Sequence, residues 1–430
     1  MLDIKLIREN PDIVRENLKR RHDEEKVRLL DELIKTDVEH RKTIQSTEAL
    51  RAKRNQLSQE IAELIRAKKN PAEKKKEAAE IPDKLKGMEE YRASLEQKIN
   101  GLMLRIPNML HESVPVGNDE KDSVEVRVVG KPPKFGFIPK SHLEILRDLD
   151  LIDEERAAKV AGHGFFYLKG ELVLLDHAIM CFAMDFMRKK GFTIIEPPYM
   201  LQRKPYEGVT DVADFENVMY KAENQDLFMI ATSEHPMAAM LMDETLLKEK
   251  LPIRLCGVSP CFRKEVGAHG KYTHGLFRMH HFNKVEQFVF CLPEQSWKFH
   301  EEMQKNAEEM YKELGLHYRV VNVCSGDIGA IAAKKYDIEC WMADGAFRET
   351  GSNSNCTDYQ ARGLNIKYRE KEGAAPAGFV HTLNNTALAT SRVMVAIIEQ
   401  FQQKDGTVKI PKVLVPYMGG IKLLGKPSKK

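Results

Sequence analysis

The segment from Pro260 to Phe290 carries two arginines, a phenylalanine and two carboxylates at spacings that could serve one ligand. Its ends, PCFRKE and GLFRMHHFNKVEQFVF, read as strands, with Gly267, Gly270 and Gly275 supplying turn chemistry between them. Residues two or four apart on a strand share a face. Arg263 and Glu265 would then share one face, and Arg278, Phe282 and Glu286 another, each about 13 Å from the next at roughly 3.3 Å per residue. Such a hairpin offers cations for phosphate, a ring for a flat base, and carboxylates for an amine or hydroxyl. A spacing of four also describes one helix face, and charges on a solvated strand are common; residue types alone leave both readings open.

The elements that position these groups come from a chain of 430 residues, long enough for two domains. Charged residues make up 30% and the net charge is only +3, so any nucleic-acid site must be a local patch. Seven cysteines, at 181, 256, 261, 291, 324, 340 and 356, form no CxxC pair. Reduced, mostly buried thiols in a cytoplasmic protein are expected, not a disulfide framework or zinc ribbon. The chain has no apolar run of membrane length and no signal-peptide core at its start, so no membrane partner is expected.

The first part of the chain predicts helices. Residues 1–25 read as a short helical lead-in, and Lys26–Lys69 and Pro82–Arg105 as long charged helices. Leu50, Leu57, Ile61 and Leu64 form one heptad-type seam; Leu85, Met88, Leu95, Ile99 and Leu102 form another. Joined near Asn70-Pro71, they predict an antiparallel hairpin whose first helix alone is roughly 60 Å long, too long to pack wholly on a compact body. Pro82 predicts a kink or delayed start. From Arg51 to Lys76 there are nine Lys or Arg and three Glu, a basic tip suited to phosphate contacts. A solvated coiled coil with ordinary surface lysines fits the same composition. The domain boundary is placed at 112, giving 1–112 and 113–430.

The second region alternates strand-like and helix-like segments. Leu172–Lys190 reads as an amphipathic helix, stopped by Gly191 and followed by a strand that ends at Pro197-Pro198. Thr232-Ser233-Glu234, and Thr386 ahead of a helix expected over Ala387–Gln402, both read as helix N-caps on residue type alone.

FRKE, a glycine-containing loop and then GLFRMHHFNKVEQF closely resemble motif 2 of class II aminoacyl-tRNA synthetases, in the form found in seryl-tRNA synthetases. The likeness extends over nearly the whole chain, including the helical arm. It implies an α+β protein: an N-terminal antiparallel coiled-coil hairpin, then a catalytic domain with an antiparallel sheet flanked by helices, assembled as a homodimer through the motif 1 helix and strand. It implies ATP-dependent activation of L-serine to seryl-adenylate and transfer to tRNA(Ser), bound by the arm; it leaves tRNA(Sec) open as a second RNA.

The resemblance also assigns roles. Thr232, Ser233 and Glu234 match the stretch that meets the amino acid's ammonium and backbone; Glu286 and Thr386 match the groups around the serine hydroxyl. Arg263 matches the arginine on the α-phosphate and serine carboxylate, Arg278 and Arg392 those on the γ-phosphate. Glu265 matches the carboxylate on the adenine amino group and Phe282 the ring stacked on adenine. Lys264, Met279, Thr350 and Gly351 lie along the nucleotide, and Glu349 and Ser352 match the pair that holds Mg²⁺. Arg263, Glu349 and Arg392 are the implied catalytic groups.

Four departures mark this chain: LNNTALATSR lacks the usual motif 3 glycines, His281 stands where many relatives carry glutamine, Gly351 where serine is frequent, and Gly363 where a second arginine is common. No zinc is expected, since Cys256 and Cys261 read as core thiols. The tail lysines 426, 429 and 430 read as solvated. A non-catalytic RNA-binding paralogue or a ligase that charges a carrier protein are the alternatives; intact catalytic side chains speak against the first and the long arm against the second.

Overall fold

A computed structural model of the chain describes residues 1–210, 218–265 and 275–425. Gly267, Gly270 and lysines 426, 429 and 430 lie outside the described residues. The chain divides into two compact units. One comprises Asp3–Lys19 and Asp23–Ile106; the other comprises Met1–Leu2, Arg20–His22 and the chain from Pro107 onward.

The first unit is helical: α1 (Ile4–Glu9), α2 (Pro11–Lys19), α3 (Glu24–Arg66), α4 (Ala72–Ala79) and α5 (Ile81–Arg105). Asp23 caps α3, its carboxylate accepting from the Glu25 and Lys26 backbone N–H groups. The ion pairs Lys98–Glu32 and Arg51–Glu89 run in opposite sequence order, as they must when α5 returns antiparallel along α3. Leu57, Ile81 and Leu85 are buried together, with Leu50 packed against them; Leu95 and Leu102 are buried further along. The heptad spacing thus does place an apolar seam between the two long helices. The break at Glu80 and Pro82 in the first turn of α5 meet the expected interruption: a proline costs nothing where no intrahelical N–H bond is made.

The second unit is built on a sheet of β1 (Val124–Val129), β2 (Thr193–Ile195), β3 (Ile253–Phe262), β4 (His281–Cys291), β5 (Tyr318–Asn322), β6 (Lys334–Trp341), β7 (Phe347–Thr357) and β8 (His381–Ala389). Its order is β1-β5-β6-β7-β8-β4-β3-β2. Every neighbouring pair is antiparallel except β2–β3, which is parallel. Helices α6 (Glu171–Lys189), α8 (Ser296–Leu314) and α9 (Thr390–Gln400) pack on it; α7 (Glu234–Ala239) sits beside β3 and β4. α6 ends where Gly191 takes φ of 82°, a conformation without steric cost only for glycine.

Strand β4 explains how a sheet buried on both faces can still hold a polar site. Val285, Val289 and Cys291 enter the cluster formed with α6, α8 and α9, while Phe288 and Phe290 enter a second cluster on the other face. Phe282, Lys284 and Glu286 continue the even-numbered face beyond that second cluster.

Three expectations need correction. β3 ends at Phe262, and Glu265 has a left-handed φ of 47°, so Arg263 and Glu265 leave the strand instead of sharing its face. Arg278 precedes β4, so only Phe282 and Glu286 of the four-spaced trio lie on it. Thr386 is not an N-cap: β8 continues to Ala389 and α9 begins at Thr390, because Thr386 is paired in register with Glu286.

Asp37 is the buried charge of the helical unit, bonded by Arg8 at 2.6 and 3.0 Å and by Arg41 at 3.0 Å. Burial opposes its ionisation, but the Arg8 hydrogen bonds and the charges of Arg8 and Arg41 outweigh this and lower its pKa. A lowered carboxyl stabilises the fold above its unfolded value and loses that contribution as pH falls through the folded one. Asp37→Asn should cost about 1–2 kcal/mol in urea unfolding at pH 7, a penalty that shrinks below about pH 4.

Candidate functional site

A cavity of about 330 Å³ opens on the even-numbered face of β4. Of the residues singled out from sequence, Thr232, Glu234, Arg263, Glu286, Glu349, Ser352 and Thr386 line it. They come from α7 and the residues just before it, from β4, β7 and β8, and from the segment after β3, at positions more than 150 residues apart in the chain.

Two bulges make this convergence. Between β6 and β7, Ile338 pairs with Gly351 but Glu339 pairs with Glu349, so Thr350 is the extra residue. Glu349 and Ser352, three apart, would point to opposite faces of a regular strand; the bulge returns both to the cavity side. Thr350 is turned inward, its hydroxyl donating to the Ile338 carbonyl at 3.1 Å. A second bulge follows Thr386 on β8: Asn384 and Thr386, two apart, face the cavity, and the extra residue, Ala387, turns Leu388 away from that face into the core with Leu383. A Cβ on Gly351 would lie 3.3 Å from Thr386 Cβ, so glycine here leaves the Thr386 side chain its place.

Glu286 is 1% exposed. Its Oε2 is bonded by Lys284 Nζ at 2.6 Å and accepts from Thr386 Oγ1 at 3.3 Å. Burial pushes its pKa up, opposed by Lys284 and Thr386. Glu234 Oε1 accepts from Gln360 Nε2 and Asn384 Nδ2, both at 3.0 Å. Burial and then the charge of Glu286 push Glu234 up to about 7. Arg263 donates from Nε to the Ala231 carbonyl at 3.3 Å and lays its guanidinium over Phe282, 5.4 Å from the ring centre. Its terminal nitrogens make no contact with protein oxygens among the described residues.

Across the cavity, Arg392 Nη1 reaches Glu349 Oε1 and the Glu349 carbonyl, both at 3.0 Å, and its guanidinium stacks on Phe277 at 5.0 Å. Burial works against Glu349 ionisation, but Arg392, Lys335 and Arg263 overcome it and hold the carboxyl low. Ser352 Oγ donates to Asp337, whose own carboxyl is pushed up to about 7 by burial.

The other named residues lie around this centre. Arg278 is paired with Glu265. Lys264 holds the Val218 carbonyl through its backbone N–H at 2.9 Å. Met279 is buried in the main core cluster. Ser233 is fully buried, its hydroxyl 3.5 Å from the Gly257 carbonyl, and a Cβ on Gly257 would strike that hydroxyl at 2.8 Å. Gly363 packs on Gly208, where a Cβ would meet the Gly208 carbonyl oxygen at 2.9 Å; an arginine there would need the backbone to move.

Sequence reading passed over Lys284, His235, Lys335, Asn384, Ser354 and Asp337. Period-two spacing would have found Lys284, between Phe282 and Glu286, and Asn384, two before Thr386. The same spacing marks Ser354, two after Ser352 on β7, and His235 follows Glu234; Lys335 reaches the cavity, and Asp337 its place behind Ser352, through tertiary placement.

Comparison with known proteins gives the family. Residues 215–401 match the model of the tRNA synthetase class II core domain for the G, H, P, S and T enzymes, so the sheet and its cavity are those of a class II synthetase. Residues 1–110 match the seryl-tRNA synthetase N-terminal domain. The serine–tRNA ligase of Methanospirillum hungatei is 53% identical over 97% of this chain and 99% of its own length. The Pyrococcus horikoshii seryl-tRNA synthetase, crystallised with ATP, superposes with a TM-score of 0.95 at 47% identity, with 100% of both chains covered. The cytoplasmic serine–tRNA ligase of Naegleria fowleri, crystallised with AMP, gives 0.88 at 36% identity over 99% of each chain. The chain belongs to the seryl-tRNA synthetase family.

A raised carboxyl costs stability as pH climbs from its unfolded pKa through its folded one. In the absence of ligands, Glu234→Gln should therefore gain stability over the unaltered protein between about pH 5 and 8, by up to about 3 kcal/mol at roughly 1.4 kcal/mol per unit. Thermal melts across that range read it; a pH-independent difference would contradict the placement of Glu234.

Proposed function

We propose that this cavity activates L-serine with ATP and passes the seryl group to tRNA(Ser). The single observation that carries the reading is the meeting of Glu234, Arg263, Glu286, Thr386 and Glu349 around one cavity of about 330 Å³.

Activation joins the serine carboxylate to the α-phosphorus and expels pyrophosphate. This is a displacement in which positioning and charge neutralisation do most of the catalytic work. Arg263 suits the central place. Its Nε is fixed by a backbone carbonyl, and the rest of its planar fork is available to the attacking carboxylate and the α-phosphate together. Glu234, with Thr232, takes the ammonium; an incoming cation compensates a carboxylate that burial otherwise pushes towards the neutral form. Glu286 and Thr386 take the hydroxyl. A site built to bond a substrate hydroxyl can reject alanine by something on the order of 10⁴-fold, because the buried acceptor would be left unpaired. Threonine must be refused by size.

For the nucleotide, Phe282 offers one ring face to adenine and Arg263 lies over that ring. Glu265 accepts from the adenine amino group, with Lys264, Met279, Thr350 and Gly351 along the nucleotide. Arg278 and Arg392 bind the γ-phosphate, exchanging their present carboxylate partners for phosphate oxygens. Glu349 and Ser352 present hard oxygen donors to the same cavity, the donor chemistry Mg²⁺ prefers, and Asp337 behind Ser352 orients its hydroxyl. The ion would supply charge neutralisation between phosphates.

The helical unit binds the tRNA. Its basic stretch around Arg51–Lys76 engages phosphates, a contact that reads RNA by shape and backbone. A homodimer joined through α6 and β2, and activity in the cytoplasm, complete the reading; no helix among the described residues is long and apolar enough to cross a membrane. Whether tRNA(Sec) is also charged follows from the RNA, which the helical unit must accommodate.

Serine-dependent exchange of pyrophosphate into ATP tests the reading. Glu286→Ala should abolish exchange while ATP still binds; serine activation retained by this variant would remove the specificity argument. Deletion of residues 26–105 should spare exchange and lose most tRNA charging. Charging that survives the deletion would take the RNA-binding role away from the helices.

A further inference from the structure

Lys284 is a buried cation inside the cavity with no role in the chemistry above. Its side chain is 7% exposed and, among the described residues, its only ionic partner is Glu286, two residues along the same face of β4. Two groups of this corner share one carboxylate oxygen: Lys284 Nζ and Thr386 Oγ1 both bond Oε2. Among the described residues, no protein group bonds Oε1.

We propose that Lys284 is a positioning residue for substrate specificity, clamping Glu286 by one oxygen so that the other is the acceptor for a small amino acid's hydroxyl. An ionised carboxylate is acceptor-only, whereas a protonated one also donates. An acceptor-only oxygen demands a donor from the ligand, so it favours serine and penalises alanine. Without a cation beside it, a carboxylate this deeply buried and facing Glu234 loses its charge or turns away, and either change blurs the demand. A lysine ammonium at 2.6 Å supplies the charge, and Thr386 on β8 fixes the rotation. The inference rests on the serine reading of the cavity and adds to it the group that makes Glu286 selective.

A purely structural ion pair would affect melting temperature and not the choice of substrate. Pyrophosphate exchange by the full chain separates the two. Lys284→Met should raise the serine KM at least about tenfold, leave the ATP KM within about threefold, and narrow the serine-over-alanine preference by about tenfold or more. Because Lys284 acts through Glu286, adding Lys284→Met to Glu286→Gln should cost less than about threefold more in kcat/KM for serine. Unchanged serine KM and preference in Lys284→Met, or effects of the two substitutions that multiply, would overturn the proposal. Should Lys284→Met fail to fold, Lys284→Arg decides: it keeps the charge and should keep the preference, and a preference reduced as far as in Glu286→Gln overturns the clamp. Absence of serine-dependent exchange in the unaltered enzyme would instead remove the reading of the site, and the clamp with it.

Discussion

Charge compensation out of water is the constraint on which this structure depends. Glu234, Glu286, Glu349 and Asp337 are brought into one region where burial opposes their ionisation. Arg263, Lys284, Lys335 and Arg392 are brought there with them. The balance differs from group to group. Glu349, with three cations near it, stays low; Glu234, whose largest electrostatic neighbour is another carboxylate, rises. Glu234 is thus the carboxylate left short of positive charge, and Arg263 the guanidinium left short of acceptors among the described residues.

Holding such groups together requires a frame that does not relax. The sheet supplies it, buried on both faces at β4 and bounded by helices. Its regularity alone would not serve, because strict alternation would scatter Glu349 and Ser352 of β7 over both faces. Bulges beside Thr350 and after Thr386 re-aim the side chains without breaking the ladder. Gly351 next to Thr386, and Gly257 beneath Ser233, show how closely neighbouring strands approach where the site is built.

The helical unit follows a simpler logic. A heptad seam of leucines needs only one partner helix, and the partner lies a short connection away in sequence. Charge pairs along its flanks are exposed and worth little individually. Asp37 differs, since it is buried and its three arginine hydrogen bonds compensate that burial.

Local sequence therefore determined the helices almost completely, with α3 beginning two residues earlier and ending three residues sooner than spacing predicted. It also marked Arg263, Phe282, Glu286, Thr386 and Arg392 as candidates, because residue type and motif order are properties of the chain itself. Tertiary structure decided the rest. It ended β3 before Arg263, carried Thr386 on a strand instead of a helix cap, and brought Lys335 to the cavity and Asp337 behind Ser352. The physical reason is that strand ends, bulges and buried charge pairs are set by partners distant in sequence. A residue's own neighbours fix its propensity, but the strand lying across from it fixes which way it faces.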